Sequence, residues 1–419
     1  MRVAVVGSGI AGLSAAWLLS TRHEVTLFEK SEHLGMDSHS LEIETSAGSV
    51  RIDVPLRVFF DGFYLNLSKL YRHLSIEFEP INYSASFGLL DEATYFRFDN
   101  YRVGRYAVPF LKGRRSLGRK ALRIGLDNLR FFRQIDRLLK AGIADEVTLE
   151  AFIEQHNYSS AFADGYLYPA FAGICTCSTD SVKAYPARVI LEYLNSGLLL
   201  SSVQRVTAGT QDVVQRLVKD VHDVQLGTQV VAVAATNDGV DVETDHALER
   251  FDHVVMASQA NQSAALLCGT TGNEHRILKN FHYEPSQVIV LNDAYLAPKG
   301  GPTNWAPVNF LMSKSASTPM ATIWLNAIQS LPDSQTIFQT WNPVIEPESD
   351  SVFGIAEFER PVVTETTLRA LHDFNSLHEQ PGRRIWLCGS YASHSIPLLE
   401  SAVTSAFRVG EKLGCRLPW

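Results

Sequence analysis

Arg2-Val3-Ala4-Val5-Val6-Gly7-Ser8-Gly9-Ile10-Ala11-Gly12-Leu13-Ser14-Ala15-Ala16-Trp17-Leu18-Leu19, followed by Glu24-Val25-Thr26-Leu27-Phe28-Glu29, is the stretch on which the fold turns. Arg2 to Val6 is a continuous β-branched run, the pattern of a strand buried on both faces of a parallel sheet. Gly7 permits a tight turn, Gly9 has no side chain to block a pyrophosphate, and Gly12 lets a helix pack close to the strand. The helix predicted from Leu13 to about Thr21 presents its N-terminal amides, next to Ser8, Ile10 and Ala11, to phosphate oxygens. The second strand ends on Glu29, before Lys30, where an acid can accept both ribose hydroxyls of an adenosine. Strand, glycines, helix, strand and terminal acid in that order form a far more specific signal than the glycines alone.

A signal peptide is the competing reading of Val3 to Ser20, which is apolar or small between Arg2 and Arg22. The phased glycines and the second strand argue against it. The 419 residues suit two to three domains or one large body with an insertion. Hydrophobic residues at 46% supply a sizeable core. With 37 Lys+Arg against 45 Asp+Glu, the net charge of −8 excludes a general basic footprint for nucleic acid. Cys175, Cys177, Cys268, Cys388 and Cys415 contain no CxxC pair, so no metal site is expected. Sparse, odd-numbered cysteines fit a reducing, cytoplasmic setting.

Val5 to Leu19, Glu29 and Leu34-Gly35 resemble the FAD-binding signature of the flavin-containing amine oxidoreductase superfamily. That group includes monoamine and polyamine oxidases, phytoene-type desaturases and protoporphyrinogen oxidase. The family continues with a second glycine, where this chain has Met36. Arg51 to Val58 resembles the segment passing under the isoalloxazine ring, with Leu56, Arg57 and Val58 against it. Arg57 is a departure: its guanidinium either faces the flavin, binds an anionic substrate group, or is an ordinary surface ion pair. Residues 203–270 are similar to the family's second visit to the cofactor domain. There the resemblance implies Val230 at the adenine and Ser258 at the end of a strand closing the adenosine pocket. Asn237-Asp238-Gly239 between alternating runs signals a hairpin. Arg384 to Tyr391 and the helix after Leu398 resemble the third visit. They imply Gly389, Ser390, Leu399, Glu400 and Val403 at the flavin, the helix start facing its O2 and N1. The aromatic wall of an amine cage is replaced near that start by Leu398 and Leu399. No second glycine-rich motif offers a separate NADPH site.

Residues 112–140 hold ten Lys or Arg and two acids. Leu122, Leu126, Leu129, Phe132 and Leu139 recur there at helical spacing, the pattern of a core face opposite a basic face or of weak membrane-surface association. Tyr185-Pro186 heads a helix predicted to reach Leu200. Strands are expected at 287–291, 321–325 and 336–341, as the sheet floor of a pocket.

The expected architecture is α/β: a discontinuous Rossmann-type FAD-binding domain (1–72, 203–270 and 381–419) and a substrate domain with a helical lobe (73–202) and a mixed β-sheet (271–380). The function implied is FAD-dependent oxidation of a hydrophobic small molecule, passing electrons to O2 or another acceptor. Flavin-dependent amine oxidation, a non-redox FAD-dependent isomerase and a scaffold with a degenerate site remain open. Arg57, Tyr391 and His394 are the catalytic candidates near the ring.

Overall fold

The computed structural model describes residues 1–45, 48–90, 92, 94–104, 106–198, 200–268, 272–313, 316–331 and 335–419. The boundary expected after 270, Leu199 in the helix expected to reach Leu200, and the side chains of Arg114, Arg115 and Cys268 lie outside the described residues.

Arg2–Val6 is the middle strand of a five-stranded parallel sheet. Its order is Asp223–Gln225, Glu24–Phe28, Arg2–Val6, His253–Met256, Ile385–Leu387. Strand alternation sends side chains to two cores. Val3, Val5, Val25 and Leu27 face one, shared with the helices Ile10–Leu19 and Leu399–Lys412. Ala4, Val6, Phe28, Val254 and Met256 face the other, under the antiparallel strands Val230–Ala235, Val240–Thr244 and Leu248–Phe251. The hairpin expected at Asn237-Asp238-Gly239 joins the first two of these strands. Every residue of Ile10–Leu19 except Trp17 is buried, which explains its all-round apolar sequence. It crosses the C-terminal helix at Gly410, where a Cβ would lie 2.4 Å from Leu18 Cδ2.

The second sheet has eight strands in the order Val352–Val362, His282–Leu291, Phe338–Trp341, Met320–Trp324, Val308–Met312, Ala85–Leu89, Thr94–Val103, Tyr106–Leu111. All neighbours are antiparallel except Val308–Met312 and Ala85–Leu89. The strands expected between 287 and 341 are present. Three more come from residues 85–111, in the stretch assigned to the helical lobe. The lobe itself is built on Arg119–Lys140, Leu149–Gln155, Tyr168–Cys175 and Ala187–Asn195. The last of these stops short of the expected Leu200. Helix Glu365–His378, expected with the substrate sheet, instead packs Ala370, Leu371, Phe374 and Leu377 into the second core of the parallel sheet.

Helix Arg119–Lys140 meets its expectation only in part, with Phe132 and Leu139 packed on the core. Its core face is Ala121, Ile124, Phe131, Ile135 and Leu138, with Asp127. Leu122, Leu126 and Leu129 are exposed. The helix carries two apolar stripes, and buried Asp127 marks the inner one: it accepts from Ser159 N at 3.1 Å and pairs with Arg123 at 3.3 Å.

Candidate dinucleotide and substrate site

The glycine turn is tied to the second strand by one short network. Gly7 N donates to Phe28 O at 2.8 Å with φ near +100°, a conformation glycine adopts without strain. Ser8 N and Oγ donate to Glu29 Oε2 at 2.9 and 2.6 Å, and Ser31 N donates to Oε1 at 2.9 Å. Gly35 N donates to Ser8 Oγ at 2.6 Å, which brings the Leu34-Gly35-Met36 loop over the turn. A Cβ on Gly12 would sit 1.8 Å from Gly7 O, so only glycine fits. A Cβ on Gly9 would meet nothing within 4 Å. That open space in front of the helix is what a pyrophosphate needs. Glu29 accepts three hydrogen bonds of the roughly four a carboxylate can take.

Gly9, Ile10 and Ala11 line a cavity of about 450 Å³. Its other walls include Gly35, Met36, the loop 55–60, Ser258, Gly389 to Tyr391, and Leu398, Leu399 and Ala402. Two helices therefore begin at this cavity, Ile10–Leu19 and Leu399–Lys412, and neither has a side-chain cap. Their free amides and positive dipole ends favour electron-rich groups there. Met36, where the family has glycine, has no positive φ and packs in the first core, so this backbone demands no glycine. Gln339, fully buried in the large sheet, clamps the loop beneath: Leu56 N donates to Oε1 at 2.7 Å and Nε2 donates to Asp53 O at 3.1 Å. Asp53 in turn accepts from Thr210 N and Oγ1 at 3.0 and 2.9 Å.

The cavity wall built by the large sheet and the lobe is aromatic and aliphatic. Phe87 and Phe310 stack at 4.8 Å, Tyr166 lies 5.0 Å from Phe87, and Ile323 completes that wall. Tyr64, Tyr83 and Tyr193 add hydroxyls. Burial pushes Tyr83 up to about 12 and raises Tyr64 and Tyr193 as well, so all three stay protonated donors at neutral pH. Arg57 and Arg360 also line the cavity. Among the described lining residues there is no histidine, and Glu359 is the single carboxylate.

Three expected site residues sit differently. His394 is exposed on the loop before the last helix and does not line the cavity, because the chain turns outward through Ser393 and Ser395. Glu400 accepts from Asn66 N and Leu67 N at 2.9 and 3.0 Å, so it caps helix Leu65–His73. The unfilled amides of that helix claim the carboxylate that the sequence places at the flavin. Tyr391 reaches the cavity wall, but its ring packs in the second core 4.9 Å from Phe281, and burial raises its phenol far above the usual range. A phenol held that firmly neutral is a poor proton acceptor. Val230 and Val403 are buried in the two cores of the parallel sheet and do not line the cavity, and Lys30 opens onto an adjacent groove of about 940 Å³. Arg360 and Gln339 carry no local motif, and only the pairing of distant strands brings them here.

The NAD(P)-binding Rossmann-like domain family matches residues 5–74. No curated protein matches the chain. The CLA-producing fatty acid isomerase from P. acnes superposes with a TM-score of 0.67 at 14% identity, over 98% of both chains. Putrescine oxidase bound to putrescine does so with a TM-score of 0.62 at 13% identity, over 99% of both. Cyclohexylamine oxidase from Brevibacterium oxydans gives 0.62 at 11% identity, over 98% of this chain and 99% of that one. The chain therefore shares its fold, over nearly its whole length, with these enzymes. Among the described residues no helix is long and apolar enough to cross a membrane, and no cluster of metal-ligating side chains occurs.

Proposed function

We propose that the protein is an FAD-dependent oxidoreductase that dehydrogenates a hydrophobic small molecule. The observation carrying this is the convergence of two uncapped helix N-termini on one largely apolar cavity, with Glu29 at the end of the second strand beyond it. Gly7 to Gly12, Gly35 and Met36 would hold the pyrophosphate, Glu29 and Lys30 the ribose, and Val230 and Ser258 the adenosine. Leu56, Arg57, Val58, Gly389, Ser390, Leu399 and Val403 would surround the flavin end. Bound FAD supplies a two-electron acceptor for hydride from a substrate C–H. The chain orients the substrate, shields it from water and holds partial positive charge where the acceptor becomes electron-rich. The lack of a histidine among the described lining residues and the engagement of Glu359 by Asn261 Nδ2 at 3.0 Å fit chemistry that leans on the cofactor rather than a side-chain base. Electrons pass on to O2 or another acceptor.

Pro397, Leu398 and Leu399 line the cavity where an amine cage would place an aromatic ring. Small primary amines are therefore expected to reduce the flavin slowly, and extended apolar compounds rapidly, in anaerobic mixing. The first test is the absorption spectrum of the purified protein, which should show flavin released into solution on denaturation. A colourless protein that takes up no added FAD would refute the assignment. Product formed without flavin bleaching would instead mark an isomerase.

The exposed Leu122, Leu126 and Leu129 stripe lies among Arg119, Arg123 and Arg133, which supports weak association with an anionic membrane surface. Co-sedimentation with phosphatidylglycerol vesicles should fall with salt and in Leu126→Gln, while an uncharged vesicle retains little protein. Equal retention on both vesicles would exclude this.

A further inference from the structure

Arg57 and Arg360 line the cavity and neither makes a direct ion pair among the described residues, Asp53 and Asp37 acting on Arg57 only at longer range. Arg57 Nη1 donates to Pro55 O at 3.1 Å. The nearby Asp53 is occupied by Thr210. The Arg360 side chain makes no hydrogen bond to the described residues: its Nε is buried without a partner, and its guanidinium rests 5.6 Å from the Trp341 ring and 6.0 Å from the Phe358 ring. Neither arginine has a carboxylate within 4 Å among the described residues. Glu359, next along the strand at the cavity rim, is exposed and accepts from Asn261 Nδ2 at 3.0 Å. Burial and the neighbouring Arg57 cation pull Arg360 down to about 10, so it stays charged at neutral pH. Two like charges facing one apolar chamber are costly unless something brings negative charge to them.

We propose that Arg57 and Arg360 form the head-group site of the substrate chamber and take a carboxylate, with the acid's apolar chain lying toward Phe87, Phe310 and Ile323. This rests on the reading of the cavity as the substrate chamber of a flavin oxidoreductase. Two planar guanidinium forks match the two oxygens of a carboxylate. The protonated hydroxyls of Tyr64 and Tyr193 can satisfy lone pairs the forks leave free. The helix N-termini are assigned to the cofactor, so they do not compete for the acid. Anchoring the head on the loop 55–58 and on strand Val352–Val362 fixes the distance from the carboxylate to the reacting carbon. The substrate class is thus a hydrophobic monocarboxylic acid.

The test is calorimetric titration of the purified protein with decanoate, methyl decanoate, decylamine and decyl phosphate. Decanoate is expected to bind at least about tenfold more tightly than its ester or the amine, the scale of one charge-assisted contact. Arg360→Gln should abolish that preference and Arg360→Lys should weaken it, with FAD content unchanged in both. Arg360→Met guards against misfolding: it removes an unpaired buried cation at similar volume, so it should melt no lower than the parent while losing the acid preference. Equal affinity for decanoate and its ester, or a preference that survives Arg360→Gln, overturns the proposal. Tighter binding of decyl phosphate than of decanoate overturns the carboxylate in favour of a phosphate head. Flavin content is read separately, so a colourless protein that still prefers decanoate removes the cofactor reading and leaves the anion site standing.

Discussion

Single glycines in this chain do different work, and the difference is measurable. Gly9 has φ near −62° and open space where a Cβ would lie, so Gly9→Ala should fold with stability within about 0.5 kcal/mol of the parent. The new methyl occupies the space assigned to the pyrophosphate, and FAD affinity should drop by more than about tenfold. Gly12→Ala drives a Cβ into Gly7 O and should destabilise by about 3 kcal/mol or more. Urea unfolding of the apoproteins and FAD titration separate the two, and a Gly9→Ala protein that binds FAD normally would remove the turn from the cofactor site. These glycines and Glu29 were legible because their chemistry is local: a turn, a close approach and an acid at a strand end. Arg360 was not, since nothing in Phe358-Glu359-Arg360 says which face of its strand meets the cavity or that Arg57 stands opposite.

Helices were legible as helices, but their partners were not. Helix Arg119–Lys140 carries two apolar stripes, and periodicity alone cannot choose between them. The stripe around Asp127 turns inward because Ser159 and Arg123 satisfy that carboxylate. Glu400 makes the same point between helices, since its partners Asn66 and Leu67 lie more than three hundred residues away in sequence. Glu400→Ala should cost about 1 kcal/mol by leaving those amides uncapped, while Glu400→Gln keeps an acceptor. Burial raises the Glu400 carboxyl above its usual value. A raised folded-state value makes ionisation less favourable in the folded protein than in the unfolded one. Its contribution to stability is therefore complete below about 4.3 and declines as pH rises through the higher folded-state value. Glu400→Gln should then gain on the parent between pH 4 and pH 7 in urea unfolding. A difference that does not vary with pH would mean the carboxylate is not ionising in a buried setting.

At the scale of the whole molecule, the parallel sheet draws on segments near residues 2–28, 223–225, 253–256 and 385–387. The larger sheet joins 85–111 to 282–362 through the single parallel pairing of Ala85–Leu89 with Val308–Met312. Repeated returns to one parallel sheet were legible because each return carries a recognisable turn or strand. The contribution of 85–111 was missed because strand pairing over some two hundred residues leaves no periodic trace. This topology makes a specific demand on cofactor removal. The groups assigned to FAD come from all the returning segments and from the loop 55–58, which Gln339 ties to the second sheet. Ligand binding to the folded state alone stabilises by about 2.7 kcal/mol at a hundredfold excess over Kd. Spread over a cooperative unit of 419 residues, that is a rise in Tm of roughly 3 °C. Deflavinated protein should therefore melt several degrees below the holoprotein when followed by circular dichroism, with both sheets unfolding in one transition, and recover fully when FAD is restored. A cofactor held by the N-terminal turn alone would instead leave the main transition in place and shift only a minor early phase, and that outcome would break the link between the returning segments and the cofactor.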